Sequence, residues 1–522
     1  MRDLRGIGSP YNAADRFVDE QVKNGLGSKI AIYYKDQTVT YQQLQERMNQ
    51  VGNALKQLGI GMENRILLVC PDRPEFFASF LGSIKIGAVP IPVNTMMSPS
   101  DYEYFLNNSR AKAVILHEEN WAKIRHLRAR FVYLEHIIVI CESAVIKEED
   151  ILDFHSMIEQ QPTTLEAVHT ESFDSAFWLY SSGSTGNPKG TIHLQHDMEC
   201  AFQSFARQVL QMNEQDITFS ASKLYFAYGL GNGMYFPLGA GCSTVLLDEK
   251  PTPENIFATI ERYRPTIFFG VPTLYGSLLE YAERSPRSFD LSSLRICVSA
   301  GEALPGSFLR KWKQLYGVDI LDGIGSTEAL HIYISNTIGN VREGSTGKIV
   351  PGFEAKIVNE AGVRVPPNEI GELLIKGDSI AQGYWGLHEE NKRKFNGEWY
   401  YTGDKYLMDS DGYYWYCGRS DDMMKVGGIW VSPIELENAL LKHEAVLEAA
   451  VVGVKLDNDL ETPKAYIVLR EGYTPDEQLK AELQAFAKRE LAAYKYPRMI
   501  EFIDALPKTA TGKIQRFKLR TG

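Results

Sequence analysis

Short runs of apolar residues, separated by segments with helical periodicity, dominate the first 350 residues of this chain. Two sets of runs predict buried strands, at 65–70, 87–93, 113–116 and 136–140 and again at 243–247, 266–270 and 294–299. Residues 75–86 are rich in apolar residues and predict a helix between two of these strands. Strands that alternate with helices are typical of mostly parallel sheets covered by helices. The pattern therefore predicts an α/β fold with two stacked sheet layers.

The pattern changes after about residue 345. Apolar and polar positions alternate at 355–358 and 371–375, with Gly, Pro and Asn between them, which predicts a small antiparallel β unit. Beyond Gly418 the sequence predicts a compact α+β unit, with helices at 433–441 and 476–492 and strands at 449–453 and 464–469.

The polar stretch 418–422 lies between these two parts of the chain, and it reads either as an interdomain linker or as an ordinary surface turn. The length of 522 residues favours a linker, because it exceeds that of one ordinary domain. We therefore predict a large N-terminal domain at 1–420, which contains both α/β sheet layers and the small β unit. A small, mobile α+β C-terminal domain is predicted at 421–522.

Composition argues against several classes of protein. A net charge of −11 and a pI of about 5.6 are unlike those of a general nucleic-acid-binding protein. The six cysteines are scattered and form no Cys-x-x-Cys pair, which favours reduced thiols over disulfides or a zinc site. The sequence begins without an apolar signal region and has no apolar run of about 18 residues. We therefore expect a cytoplasmic protein with no membrane span and no nucleic-acid partner.

The segment 180–190, YSSGSTGNPKG, is the strongest local indication of function. It follows an apolar run at 176–180 that predicts a buried strand. Glycine lets the backbone close around oxygen atoms, and N–H groups, hydroxyls and one lysine suit a polyphosphate. The segment differs from the P-loop of NTPases, because Lys189 follows Gly186 by three residues and precedes Gly190. The alternative interpretation is a flexible linker.

Two motifs place single carboxylates beside glycines. GIGSTE at 323–328 follows a predicted strand at 318–321, and Glu328 is either a Mg²⁺ ligand or a helix-start capping residue. YTGD at 401–404 presents Asp404, either as an acceptor for ribose hydroxyls or as a turn residue.

Two further motifs carry basic residues. Arg419 with Asp421 and Asp422 is either a ribose clamp and hinge or a solvated ion pair. LPKTATGK at 506–513 ends in Lys513, whose ammonium either neutralises phosphate charge or is an ordinary surface group.

Together, and in this order, the motifs resemble the adenylate-forming superfamily of acyl-CoA synthetases, luciferases and peptide-synthetase adenylation domains. The resemblance extends from TVTY at 38–41 to Lys513. Two stretches are most similar to benzoate–CoA ligases, KLYFAYGLGN at 223–232 and STEALHI at 326–332.

The resemblance implies an ATP-dependent benzoate–CoA ligase. Such an enzyme uses ATP and Mg²⁺ to convert the acid into an acyl-adenylate with release of pyrophosphate, and then transfers the acyl group to coenzyme A. The alternatives are a ligase for 4-hydroxybenzoate, another substituted benzoate or a cyclic acid, a stand-alone enzyme that loads a carrier protein, and a non-catalytic nucleotide-binding protein. The partners expected are small-molecule substrates, and the protein is expected to be a monomer or a homodimer.

The resemblance also implies roles for individual residues. Those expected to bind ATP or AMP are Ser181, Ser182, Gly183, Ser184, Thr185, Gly186, Lys189, Gly301, Glu302, Ala303, Asp322, Gly323, Ile324, Thr327, Asp404, Arg419 and Lys513. Those expected to line the acid pocket are Ala227, Tyr228, Gly229, Gly325, His331 and Ile332.

The remaining expectations concern catalysis and the approach of CoA. Lys513, Lys425, Thr185 and Glu328 are implied as catalytic residues, with Glu328 as the Mg²⁺ ligand. Rotation of the C-terminal domain about Asp421 would withdraw Lys513 and bring in Lys425, Gly427 and Gly428 beside the CoA channel. Lys513 also resembles sites that lysine acetyltransferases modify in this family.

Overall fold

The computed structural model describes residues 10–142, 148, 150–181, 187–420, 422–426, 429–455, 461–491, 496–508 and 514–520. Two parallel sheets form the centre of the N-terminal part, as the apolar runs predicted. The first sheet has five strands, all parallel, in the order Val89–Pro92, Arg65–Val69, Ala113–His117, His136–Ile140 and Ile151–Asp153.

The second sheet has nine strands and is parallel through its centre. Their order is Lys348–Ile349, Ile332–Ser335, Ile320–Gly325, Ile296–Ala300, Ile267–Gly270, Ile217–Ser220, Ser243–Leu246, Ile30–Tyr34 and Gln37–Thr40. The strand predicted at 318–321 is displaced, because its hydrogen bonds continue to Gly325 and pair with Ile332–Ser335. The glycines of the GIGSTE motif therefore belong to the end of a strand and do not form a loop after it.

One hydrophobic core joins the two sheets, and a separate core covers the outer face of each. The predicted helix at 75–86 is observed at Pro74–Lys85, and all but one of its residues are buried. The α-helices of this region are Tyr41–Gln57, Pro74–Lys85, Pro99–Ser109, Glu118–Ile124, Phe154–Glu159, Asp197–Ala201, Ala227–Leu230, Phe236–Ala240, Pro253–Tyr263, Pro272–Arg284 and Gly306–Tyr316. Shorter helical turns of other types lie at Asp15–Asp19, Val22–Leu26, Arg125–Arg130, Phe202–Arg207 and Gly231–Tyr235.

Two antiparallel sheets complete the N-terminal part, and the second confirms the predicted small β unit. The first pairs Ser175–Ser181 with Lys189–Leu194 and then with Gly383–Tyr384. The second contains Phe353–Val358, Gly371–Gly377, Trp399–Met408, Phe395–Asn396 and Tyr414–Arg419, with helix His388–Lys394 beside it.

The C-terminal part has its own hydrophobic core, built from strands and helices as predicted. Its strands are Met424–Val426, Ile429–Val431, Val446–Lys455, Glu461–Leu469 and Met499–Phe502, and its helices are Pro433–Leu440, Glu477–Glu490 and Arg516–Arg520. The α/β fold class predicted from the sequence is confirmed. Among the described residues, no helix is both long and apolar enough to cross a membrane.

Candidate active site

The residues predicted around adenine lie at the carboxyl ends of two neighbouring parallel strands. Strand Ile296–Ala300 pairs with Ile320–Gly325, and Ala300 lies opposite Gly323. Gly301 follows at once with a φ of +101°, a backbone conformation that favours glycine. The turn places Glu302 and Ala303 after the strand end, which is where open α/β sheets bind ligands.

Asp322 lies in this region with its carboxyl group buried. Burial raises the pKa of Asp322 well above its usual range. Its Oδ1 has no hydrogen-bond partner among the residues that the structure describes. The slot between the two strand ends therefore contains a polar group that a ligand could satisfy.

Glu328 is held by two side chains that are distant in the sequence. The Tyr384 hydroxyl donates to Glu328 Oε1 at 2.8 Å, and the Ser181 hydroxyl donates to the same oxygen at 3.3 Å. Within the described chain, side-chain hydrogen bonds reach Oε1 alone, so Oε2 is the oxygen available to a cation. Mg²⁺ commonly binds one or two carboxylates together with substrate phosphates and water. This single oriented carboxylate fits that requirement, and the described residues contain no cluster of three or more potential metal ligands.

Lys189 lies beside the same group of side chains. Its Nζ is 2.6 Å from Glu390 Oε1 and lies 5.2 Å from the centre of the Tyr384 ring. Lys189 also pairs with Ser181, because strand Lys189–Leu194 runs antiparallel to strand Ser175–Ser181. The loop predicted to hold phosphates therefore starts and ends at one edge of the site, while its residues Ser182, Gly183, Ser184, Thr185 and Gly186 lie outside the described residues.

The turn that carries Glu328 is fixed through its backbone. Thr327 O accepts hydrogen bonds from Leu330 N at 3.1 Å and from His193 Nε2 at 2.8 Å. Leu330 adopts a φ of +67°, which is rare for a bulky side chain and indicates that the surrounding contacts determine the turn.

Asp404 and Arg419 are paired residues on adjacent antiparallel strands. Arg419 Nη1 lies 3.1 Å from Asp404 Oδ1 and also donates to Thr402 O at 3.3 Å. The Asp404 carboxylate raises the pKa of Arg419. The structure therefore brings these two predicted ribose ligands together and favours the charged state of the arginine.

The predicted acid pocket has an aromatic wall built around His331. The His331 ring lies 5.6 Å from Tyr228 and 4.4 Å from Phe236, measured between ring centres. Its Nε2 is 3.0 Å from Asn232 Oδ1. Burial lowers the pKa of His331 to about 3, so the ring is neutral near pH 7 and behaves as a wall residue.

The other predicted pocket residues lie on the two segments that carry this wall. Ala227 and Gly229 belong to the short helix that contains Tyr228. Gly325 pairs with Ile332, and a Cβ at Gly325 would lie 2.6 Å from His331 O. Glycine is therefore required at Gly325 for the close approach of the two strands.

The structure describes only some of the functional residues predicted in the C-terminal part. Lys425 lies on strand Met424–Val426, and its side chain is outside the described set. Asp421, Gly427, Gly428 and Lys513 are also outside it. Ile514, the residue after Lys513, donates its backbone N–H to Glu302 Oε1 at 3.1 Å. This contact links the C-terminal part to the end of strand Ile296–Ala300.

Sequence reasoning missed Tyr384, Glu390, Asn232 and His193. Each acts through a partner that is distant along the chain, and only Asn232 lies in a stretch that the sequence analysis singled out, at the end of 223–232. Tyr384, for example, is separated from Glu328 by 56 positions. The sequence carried no signal for Tyr384, Glu390 and His193 beyond their residue types.

Comparison with protein families shows two matches that together cover most of the chain. The family described as AMP-binding enzyme matches residues 18–385. The family described as AMP-binding enzyme C-terminal domain matches residues 435–513.

Two characterised relatives match over almost their full lengths. A benzoate–CoA ligase from Thauera aromatica is 48% identical over 98% of this chain and 96% of its own length. A 4-hydroxybenzoate–CoA/benzoate–CoA ligase from Rhodopseudomonas palustris is 40% identical over 98% of this chain and 94% of its own.

Solved structures give similar results. The anthranilate CoA ligase AuaEII in complex with anthranoyl-AMP superposes with a TM-score of 0.93 at 44% identity, covering 99% of this chain and 98% of the other. A benzoate CoA ligase from Burkholderia xenovorans LB400 superposes with a TM-score of 0.89 at 43% identity, covering 98% of this chain and all of the other.

Proposed function

This chain belongs to the AMP-binding enzyme family and is an AMP-forming acid–CoA ligase, and we propose that benzoate is the acid it activates. In the first half-reaction, a benzoate oxygen bonds to the α-phosphorus of ATP and pyrophosphate leaves. In the second, the thiolate of coenzyme A bonds to the acyl carbon and AMP leaves. The product is a benzoyl thioester.

One observation carries the assignment of the acid. The turn after strand Ile320–Gly325 presents Glu328 to the nucleotide side and His331 to the aromatic wall, only three residues apart. A neutral histidine, Tyr228 and the buried Ile332 suit a flat apolar ring. The acid and the metal-binding carboxylate would therefore be positioned by the same short segment.

The first half-reaction brings two anions together and increases negative charge at the α-phosphorus. Cations and N–H groups directed at that point supply most of the stabilisation. We assign this role to Lys189 and to the glycine-rich loop that precedes it, and to Lys513 at the α-phosphate. Mg²⁺ bound at Glu328 would neutralise phosphate charge when present.

The nucleoside would be held at two places. Asp404, oriented by Arg419, is proposed to accept the ribose hydroxyls, because an ionised carboxylate accepts from two hydroxyl groups. Residues 301–303 and 322–324 are proposed to line the adenine slot between the strand ends. Thr327 and Ser181 are proposed to contact the phosphates.

The second half-reaction requires a path for the thiol. We propose that residues 421–522 form a domain that rotates about Asp421 between the two steps. Gly427 and Gly428 would then border the pantetheine channel, with Lys425 as a catalytic residue on the face that rotation brings in. The separate hydrophobic core of residues after 422 supports movement as a unit.

An acid screen tests the proposed substrate. Pyrophosphate and AMP release would be measured with about twenty aromatic and aliphatic acids, in the presence of ATP, Mg²⁺ and CoA. Benzoate should give the highest kcat/KM, and octanoate and longer acids should give none. A preference for 4-hydroxybenzoate would favour the alternative ring acid, because an unmatched buried hydroxyl costs about 1–3 kcal/mol. AMP release that requires a carrier protein in place of CoA would favour a carrier-loading enzyme.

Three further proposals concern the regulation, the location and the oligomeric state of the protein. Acetylation of Lys513 would remove its positive charge and stop the first half-reaction. A cytoplasmic location is proposed because none of the six cysteines, all of which the structure describes, forms a disulfide bond, as expected of a reducing compartment. The protein is proposed to act as a monomer or a homodimer, which sedimentation analysis would distinguish.

A further inference from the structure

Two histidines and an aspartate form a buried cluster behind the turn that carries Glu328. His193 and Asp197 are fully buried, and His196 is 6% exposed. His193 belongs to strand Lys189–Leu194, which also begins with the proposed phosphate-binding lysine. The cluster is therefore connected to both sides of the proposed nucleotide site.

Both ring nitrogens of His193 face hydrogen-bond acceptors. Nε2 lies 2.8 Å from Thr327 O, and Nδ1 lies 2.8 Å from Asp197 Oδ2. A carbonyl oxygen can only accept, so Nε2 must carry a proton. Asp197 Oδ2 already accepts from Leu194 N at 3.0 Å, so a second proton must lie between Nδ1 and this oxygen.

His196 shows the same arrangement with two backbone carbonyls. Nδ1 lies 2.7 Å from Ser172 O, and Nε2 lies 3.0 Å from Asp378 O. Neither carbonyl can donate, so both nitrogens must be protonated and the ring is an imidazolium. Asp197 Oδ1 lies 3.5 Å from His196 Nε2 and accepts no hydrogen bond from the described residues.

The proton count determines the charge of the cluster. When Asp197 is ionised, His193 and His196 each carry two ring protons and therefore one positive charge. The Asp197 carboxylate cancels one of these two charges. The sum is unchanged if the shared proton moves from His193 to Asp197. We propose that the His193–Asp197–His196 cluster is a buried group of net charge +1 that positions Thr327 and Glu328 for nucleotide binding.

The cluster reaches the turn by two routes. His193 holds Thr327 O directly. His196 holds Asp378 O, and the residues that follow Asp378 bind the other side of the turn. Ser379 Oγ donates to Ala329 O at 3.0 Å, and Ala381 N donates to Glu328 O at 2.7 Å. Three consecutive carbonyls of the turn are therefore fixed by the cluster or by the segment that it anchors.

The charge also favours an anionic ligand. A buried net charge is costly unless a counter-ion compensates it. Phosphates bound at Thr327 would provide that compensation, and this part of the inference rests on the proposed function. The histidines are positioning residues, because their contacts are with the turn and its support.

Nitrogen-15 NMR of the histidine rings tests the charge without any assay of activity. Wild-type protein near neutral pH, with His193→Gln and His196→Gln variants for assignment, should show both nitrogens protonated in both rings. Neutral tautomers in either ring would overturn the proposal. If one variant fails to fold, the other still assigns its own ring, and the protonation of that ring is read in the wild-type protein.

Kinetics of pyrophosphate release test the positioning role. His193→Phe keeps the ring volume and removes both donors, and it should lower kcat/KM for ATP by about 10- to 100-fold, as is typical of outer-sphere partners. KM for benzoate should change by less than about threefold, because Asn232 holds His331 separately and no contact among the described residues joins His193 to the acid wall. His193→Gln keeps an N–H for Thr327 and should recover about tenfold of the loss.

A folded His193→Phe protein with an unchanged kcat/KM for ATP would overturn the positioning role. A uniform loss toward ATP and benzoate would also do so, since it would indicate general damage. Failure of the proposed function is a different result, in which the wild-type protein releases no pyrophosphate with any acid while the NMR spectra still report the ring protonation.

Discussion

Lys189 and Glu390 form an ion pair in which the ammonium nitrogen lies 2.6 Å from the carboxylate oxygen. The hydrogen bond from Lys189 lowers the pKa of Glu390, so this carboxylate is charged near pH 7. Lys189 is the lysine proposed to bind the ATP phosphates. Glu390 therefore competes with the nucleotide for the same ammonium group.

Glu390→Gln should lower KM for ATP by about two- to fivefold, because ATP then no longer has to break the Lys189–Glu390 ion pair. Such a pair contributes roughly 1 kcal/mol or less. Initial rates over a range of ATP concentrations would measure the effect. Glu389→Gln is the matched control, since the Glu389 side chain is 81% exposed and lies 3.6 Å from Lys392 on the same helix. Equal effects of both variants, or a rise in KM for Glu390→Gln, would contradict competition.

Gly231→Ala should weaken benzoate binding by displacing His331. A Cβ at Gly231 would lie 2.5 Å from His331 Cδ2, and real Cβ atoms do not approach other atoms so closely. We expect KM for benzoate to rise about tenfold or more, with a smaller effect on KM for ATP.

Gly233→Ala is the control for this substitution. Its Cβ would meet Leu224 Cδ2 at 3.1 Å, a contact that a side-chain adjustment can relieve. Similar losses in the two variants would indicate that the helical turn, and not the position of His331, was disturbed.

His331 should make stability depend on pH. Its pKa is about 3 in the folded protein and 6.5 ordinarily, so below pH 6.5 the unfolded chain binds a proton that the folded protein excludes. The contribution of the neutral ring to the free energy of unfolding is fully present above pH 6.5. It is lost as pH falls toward 3, at about 1.4 kcal/mol per pH unit.

Urea denaturation near pH 7 and near pH 5 would measure this dependence. The wild-type protein should lose about 2 kcal/mol more than His331→Leu between these values, because the variant lacks the titrating ring. Parallel losses in the two proteins would mean that the ring takes up a proton in the folded state.

Lys513→Ala should separate the two half-reactions. The lysine is needed where charge builds on the α-phosphate, so adenylate formation should fall by several orders of magnitude. Thioester formation from supplied benzoyl-AMP and CoA should be retained. Equal losses in the two assays would show that both steps depend on Lys513 or that the fold is damaged.

Asp421→Pro should block the proposed domain rotation. Proline holds φ near −65° and removes the backbone N–H. Benzoyl-AMP should still form, while its conversion to the thioester should collapse. Near-normal rates of both steps would refute the hinge and leave 418–422 as an ordinary linker.

The sequence by itself determined the fold class and most elements of the two parallel sheets. Their strands are buried on both faces, so they appear as nearly continuous apolar runs that can be read from one chain. The end of strand Ile320–Gly325 was not predictable in this way, because glycines have low strand propensity and no apolar run marks its antiparallel pairing with Ile332–Ser335.

The sequence also identified the main polar residues of the site, because glycine-rich loops with single lysines or carboxylates have recognisable spacing. It did not show which groups hold them. Tyr384 on Glu328, Glu390 on Lys189 and His193 on Thr327 are contacts between segments separated by more than 50 positions. Hydrogen bonds of this kind follow from the packing of whole sheets, and local residue patterns contain no record of them, so only the tertiary structure decided the charge and orientation of these groups.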